Sequence, residues 1–165
     1  HRLRSETRAG LETGFPTTGE IRSVVILAAF SDVGFTVPDP QRAFERMLNE
    51  EGYSDNGALG SARDYYLDNS GGRFRPTFDV VGPVTLDHPV AYYGANTDYR
   101  DENAERMIIE ACHKAERAGV DFSQYDFDNA GKIDNVFVHY AGHNESDSGG
   151  MNPVWPHRGQ LSYPG

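Results

Sequence analysis

Ser23-Val-Val-Ile-Leu-Ala-Ala-Phe30 is the stretch that decides the fold. It is a short, unbroken apolar run, rich in β-branched residues and closed by Ser31-Asp32. A run of this length bounded by turn residues predicts a strand buried on both faces, the pattern of a parallel sheet covered by helices.

The segments after it supply those helices. Asp39-Pro40 places an N-capping Asp before a Pro at the first helical position, and Ala43, Phe44, Met47 and Leu48 then recur on one face up to Gly52. Ser61 and Asp64 make a capping-box pattern before a second helix whose Ala62, Tyr65 and Tyr66 are expected to face inward, with Gly71-Gly72 as its stop. Residues 77–86 are rich in β-branched side chains, and Gly82-Pro83 in their middle predicts a bulge or a sheet edge, because Pro cannot donate to a ladder. The longest helix is expected from Asp101 to Ala118. Its stripe is Ala104, Met107, Ile108, Ala111, Cys112 and Ala115, its first turn holds Asp101 and Glu102, and Gly119 closes it. Cys112 lies on that stripe and reads as a core residue. Residues 134–140 form another buried strand, and the chain turns Gly-, Asn- and Ser-rich from Ala141.

Strand, helix, helix, strand, helix, strand predicts an α/β (α+β) fold with a twisted, mostly parallel sheet and about three helices. Residues 1–20, polar and without periodicity, read as a flexible N-terminal arm or the remnant of a pro-segment, and residues 21–165 as the folded part. His1 reads as a processing boundary, with any targeting segment removed.

Composition narrows the function. The chain has 165 residues, 15 Lys+Arg against 25 Asp+Glu, and a formal net charge of −10. That balance argues against nucleic acid, whose phosphates require a cationic surface. No stretch approaches the roughly 20 apolar residues of a membrane-spanning helix. A single cysteine makes no disulfide framework and no Cys-rich zinc site.

Residues 126–134, Asp-Phe-Asp-Asn-Ala-Gly-Lys-Ile-Asp, carry the sharpest local signal. Calcium is a hard cation that takes six to eight oxygens. Asp126, Asp128 and Asp134 at loop positions 1, 3 and 9, the carbonyl of Lys132 at position 7 and the turn-permitting Gly131 fit that demand. Ala130 stands where another oxygen ligand is expected, and Phe137 where a bidentate Glu would be; Glu145 or Asp147 are the candidates to complete the shell. The plainer reading is an Asp/Asn/Gly turn feeding a strand.

His139 and His143 are four apart, but on a strand four residues span roughly 13 Å, too far for two ligands of one zinc. His88 and His113 read as surface or boundary residues. His157, beside Trp155 and Pro156, is a candidate for lining a substrate cleft. Ser61, Ser70 and Ser148 lack a nucleophile elbow, and Gly71-Gly72 lacks the spacing of a phosphate loop.

Taken in order, Gly60-Ser-Ala-Arg-Asp-Tyr-Tyr66, Asn69-Ser-Gly-Gly-Arg-Phe74, Phe78-Asp-Val-Val-Gly-Pro-Val84, Tyr92-Tyr-Gly-Ala-Asn96, the loop 126–134, Tyr140-Ala-Gly142 and Trp155-Pro-His157 resemble the immune-inhibitor-A-like zinc metallopeptidases. The resemblance runs from about Val24 to His157. It implies a secreted endopeptidase, extracellular or periplasmic, acting on protein or peptide substrates. It also implies a zincin-like upper subdomain whose sheet edge binds extended substrate. Trp155 and His157 are the candidate substrate contacts.

In such enzymes a helix bearing His-Glu-x-x-His holds zinc, and its Glu activates the zinc-bound water. None of the six histidines here is followed by Glu. The expectation is therefore the N-terminal part of a peptidase domain, with zinc ligands outside this chain and inactive alone. The fold would be incomplete without the active-site helix, and its partner is the remainder of the peptidase domain. A different class also fits: a non-catalytic, calcium-stabilised binding module of the same fold, with Tyr92, Tyr93 and the loop after Tyr140 as its surface.

Overall fold

The structure, a computed structural model, describes residues 16–97, 100–101, 103–127, 129, 131 and 133–142. The first strand, β1 (Gly19–Ala29), runs through the centre of a three-stranded sheet. On one side it pairs in parallel with β2 (Phe74–Thr85), on the other with β5 (Val136–Tyr140). Its pairing begins at Gly19 opposite Phe74, so the last two residues of the stretch assigned to the arm belong to the strand. The α/β class expected from the element order is the one observed.

Both faces of β1 are covered, and the alternation along the strand sorts its side chains into two cores. Val24, Ile26 and Ala28 meet Met107, Ala111 and Ala115 of α4 (Ala104–Arg117). Val25 and Leu27 meet Leu48 of α1 (Pro40–Asn49) together with Phe78 and Val80 of β2. Val24, Val25, Ile26 and Leu27 are at most 1% exposed, and burial of each stabilises the fold by about 1.5–3 kcal/mol relative to exposure.

The helix starts follow their sequence signals. Asp39 caps α1 by accepting the Arg42 N–H at 3.3 Å, with Pro40 in the first turn. α1 is tied to the sheet through polar side chains. Asn49 donates to the Phe78 carbonyl and accepts the Phe78 N–H, each at 2.8 Å, and Gln41 donates to the Val80 carbonyl. Met47, expected inside, is exposed, because these contacts turn Leu48 inward. Ser61 and Asp64 form the complete capping box of α2 (Ala62–Ser70), and Gly71, at φ 60°, closes that helix with Gly72 donating back to the Leu67 carbonyl.

Tyr65 and Tyr66, expected to face inward, are 63% and 41% exposed, and α2 buries none of its residues. The helix lies against the rim of β2, so its tyrosines form an aromatic row over the sheet. Tyr65 packs on Tyr66, Tyr66 on Phe74 and Phe78, and Phe78 on Phe137 of β5.

Gly82-Pro83 is both an edge feature and a bulge. β2 is an outer strand of the sheet, and its register against β1 shifts between Ile26 and Ala28. Gly82 sits at φ 96°, and a Cβ there would lie 2.7 Å from the Leu27 carbonyl oxygen.

After β2 come a one-turn helix, α3 (Val90–Tyr93), and two short antiparallel strands, β3 (Asn96–Thr97) and β4 (Arg100–Asp101). Because Arg100 and Asp101 pair with β3, α4 begins at Ala104, three residues later than expected. Its stripe is as predicted: Ala104, Met107, Ala111 and Ala115 are buried, with Ile108 and Cys112 packed against the same core. Burial raises the Cys112 thiol to about 11, so it is a core residue and a poor nucleophile.

Candidate functional site

The Asp-rich loop is held at both ends by the sheet. A 3₁₀ turn, Phe122–Tyr125, precedes it, and the buried Tyr125 hydroxyl donates to Asp79 of β2 at 2.9 Å. Asp79 also pairs with Arg22 of β1 at 2.9 Å. Burial, then the bond to Asp79, pushes the Tyr125 phenol up to about 12, so it stays a donor throughout the physiological range. At the loop's far end the Asp134 N–H donates to the Tyr125 carbonyl at 3.2 Å, and β5 follows at Val136.

Within this frame two of the four residues assigned to calcium are described. The Asp126 carboxylate accepts the Gly131 N–H at 2.8 Å, and the Asp134 carboxylate accepts the Phe127 N–H at 2.7 Å. Each acid thus reaches across the loop to the other's neighbourhood. Asn129 and Gly131, at φ 55° and 77°, provide the left-handed residues the tight path requires. These bonds are those of an Asx-type turn, and they stabilise the loop with or without an ion. Asp128 and Lys132, the other two assigned residues, lie outside the described residues, as do Ala130, Glu145 and Asp147.

The described histidines do not converge. His88 is exposed and stacks on Tyr92 with 4.1 Å between ring centroids. His113 is on α4, 3.9 Å from Glu116. His139 is on β5, its ring 5.4 Å from that of Phe44, and the loss of water on that side pushes its imidazole below the ordinary histidine pKa. Among the described residues no three His, Cys, Asp or Glu side chains gather around a point that could hold a metal. The described residues do not fit a catalytic zinc. Trp155 and His157, the candidate substrate contacts, lie outside the described residues, as does His143.

β5 pairs on one side only among the described residues, so its outer edge faces away from β1. Phe137 and His139 are exposed on the face that carries the aromatic row. Tyr93, expected on a binding surface, is instead fully buried. Its hydroxyl donates to Glu110 of α4 at 2.6 Å, and burial, reinforced by that bond, raises its phenol pKa.

Glu110 is the residue the sequence reading missed. It accepts the Tyr93 hydroxyl and the Asp87 N–H, and lies 3.7 Å from Lys114. Its i, i+4 spacing to Lys114 was visible, but its partners on α3 and the β2–α3 connection are not local in sequence. No described helix is long and apolar enough to cross a membrane.

Comparison with known proteins adds a further finding. The family model described as immune inhibitor A peptidase M6, catalytic domain, matches residues 39–163, about three quarters of the chain. No curated protein matches the chain.

Proposed function

The chain belongs to the immune inhibitor A peptidase M6 family, a family of metallopeptidases, and on that premise we propose that it forms the zinc-free part of a secreted zinc metalloendopeptidase domain. Proteins or peptides are the substrates of such a domain. In this reading the zinc and the water it activates belong to a His-Glu-x-x-His helix outside these 165 residues, and the chain alone cleaves nothing.

One observation carries the reading. A family match across residues 39–163 coexists with six histidines of which none precedes Glu, while the three described ones are spread over the β2–α3 connection, α4 and β5. What the described residues contribute is a parallel sheet in which β5 pairs with β1 alone among them, an arrangement that supports addition of an extended peptide at that edge. The exposed row through Tyr65, Tyr66 and Phe137 supports docking of the remainder of the peptidase domain on that face. Secretion, to the extracellular space or the periplasm, rests on the family resemblance.

Casein digestion with and without a chelator tests the proposal. The purified 165-residue chain is expected to leave casein intact in both conditions, and chelator-sensitive cleavage by this chain overturns it.

The loop 126–134 supports a second reading, a calcium-stabilised binding module. Asp126 and Asp134 already reach across the same short loop, as ligands of a hard cation must. Binding to the native state alone would raise the melting temperature with millimolar Ca²⁺, and Asp126→Ala would remove the shift. Equal melting temperatures with and without Ca²⁺ dismiss this reading.

A further inference from the structure

A groove of about 360 Å³ lies between the β2–α3 connection, α3 and the outer face of α4, lined by no residue of β5 or of the loop 126–134. Its wall is a single stripe of α4. Arg106, Glu110, His113, Lys114 and Arg117 follow a spacing of four, seven, eight and eleven, which keeps them on one side of a helix. Its floor is aromatic, formed by His88 stacked on Tyr92.

The charges in the groove are unequally satisfied. Asp87 is held by Lys114 at 2.7 Å, which draws its carboxyl below the usual range, and Glu110 accepts from Tyr93 and from the Asp87 backbone. Both acids are thus occupied internally, and Lys114 is occupied with them. Arg106 makes only a 2.8 Å bond to the Tyr92 hydroxyl, and Arg117 has neither an ion pair nor a hydrogen bond among the described residues. On a chain of formal charge −10 the groove therefore offers two guanidinium groups that, among the described residues, no carboxylate contacts directly, beside an aromatic floor; Arg117 acts on Asp87 only through the longer-range attraction of their charges.

We infer that this groove binds an acidic peptide in extended form, one carboxylate on Arg106 and another on Arg117. The spacing sets the register. Eleven residues of α-helix rise roughly 16 Å, about five residues of extended chain at roughly 3.3 Å each. Because an extended chain alternates its faces, the acids stand four apart, roughly 13 Å, with the apolar residue midway on the same face over His88 and Tyr92 and the long arginine side chains spanning the remaining few ångströms. Guanidinium groups suit this task, because they take carboxylates through two parallel N–H bonds. The inference is independent of where the zinc ligands lie.

The experiment is fluorescence anisotropy with the full 165-residue chain and a labelled peptide, Gly-Glu-Gly-Leu-Gly-Glu-Gly. The comparison peptide replaces both Glu by Gln. Tenfold or greater preference for the acidic peptide, weakening as salt rises, is expected. Arg117→Gln, which removes no hydrogen bond or ion pair among the described residues, is expected to weaken binding at least threefold, and Arg106→Gln likewise. Arg42→Gln on α1 serves as the control and leaves it unchanged. Melting temperatures verify that each variant folds. Equal binding of the two peptides, or binding unaffected by Arg117→Gln, overturns the inference. So does displacement of the peptide by inorganic phosphate at equal concentration, which would make this a site for small anions.

Discussion

Ser61 and Asp64 cap α2 reciprocally: the Ser61 hydroxyl accepts the Asp64 N–H at 3.2 Å, and the Asp64 carboxylate accepts the Ser61 N–H at 2.9 Å. The same Asp64 oxygen also takes the Gly52 N–H at 2.9 Å, which joins the beginning of the α1–α2 connection to the start of α2. Because α2 buries no residue of its own, this cap carries an unusual share of its stability. Ser61→Ala is expected to cost about 1 kcal/mol, read as a lower urea midpoint with an unchanged slope.

The same contact has a pH signature. Backbone bonds from Ser61 and Gly52 hold the Asp64 carboxyl below the ordinary carboxylate range. A depressed pKa contributes stability above the unfolded-state value near 4, and that contribution is lost as pH falls through the lower folded-state value. Asp64→Asn is therefore expected to lower the melting temperature at pH 6, and to differ progressively less from the parent below pH 4. Parallel melting curves for the two proteins across that range would contradict this.

Gly82 has no substitute. At φ 96°, with the Leu27 carbonyl 2.7 Å from the position of a Cβ, Gly82→Ala forces the edge strand away from β1. A loss of at least about 2 kcal/mol is expected, combining backbone strain with steric overlap. Chemical denaturation measures it.

Tyr93→Phe keeps the buried ring and deletes only the hydroxyl that donates to Glu110 at 2.6 Å. Hydrogen bonds to charged groups contribute about 1.5–3 kcal/mol, and Glu110 retains the Asp87 N–H and Lys114. A loss near the low end of that range is expected in urea unfolding. A neutral result would mean that water replaces the hydroxyl.

Cys112 is expected to react slowly with an aromatic disulfide reagent at pH 8, and to accelerate as pH approaches 11, because burial has raised its thiol to about 11. Fast stoichiometric labelling at pH 8 would place the side chain at the surface instead of against the α4 core.

The parallel sheet was legible because its signals are local. Val24–Phe30 is apolar without interruption, Asp39-Pro40 and Ser61/Asp64 are helix starts, and Gly82-Pro83 declares an edge. Each of these is a property of adjacent residues. The exposure of Met47, Tyr65 and Tyr66 was not legible, because periodicity says which residues share a face and not whether anything covers it. The late start of α4 had the same origin: Arg100–Asp101 pairs with β3, a contact that acidic residues in a helical first turn conceal. At the candidate sites, the Asp126 and Asp134 turn was visible as a pattern, whereas Glu110 and the Arg106–Arg117 groove exist only once α3 packs on α4.

The proposed division, in which this member of a metallopeptidase family leaves the zinc ligands to residues outside the chain, turns on whether the chain alone holds zinc. Zinc content of the purified 165-residue chain, measured by elemental analysis after dialysis against micromolar zinc and then metal-free buffer, tests it most directly. Far less than one zinc per chain is expected. One tightly held zinc per chain, lost when His88, His139 or His143 is replaced by Ala, would contradict it.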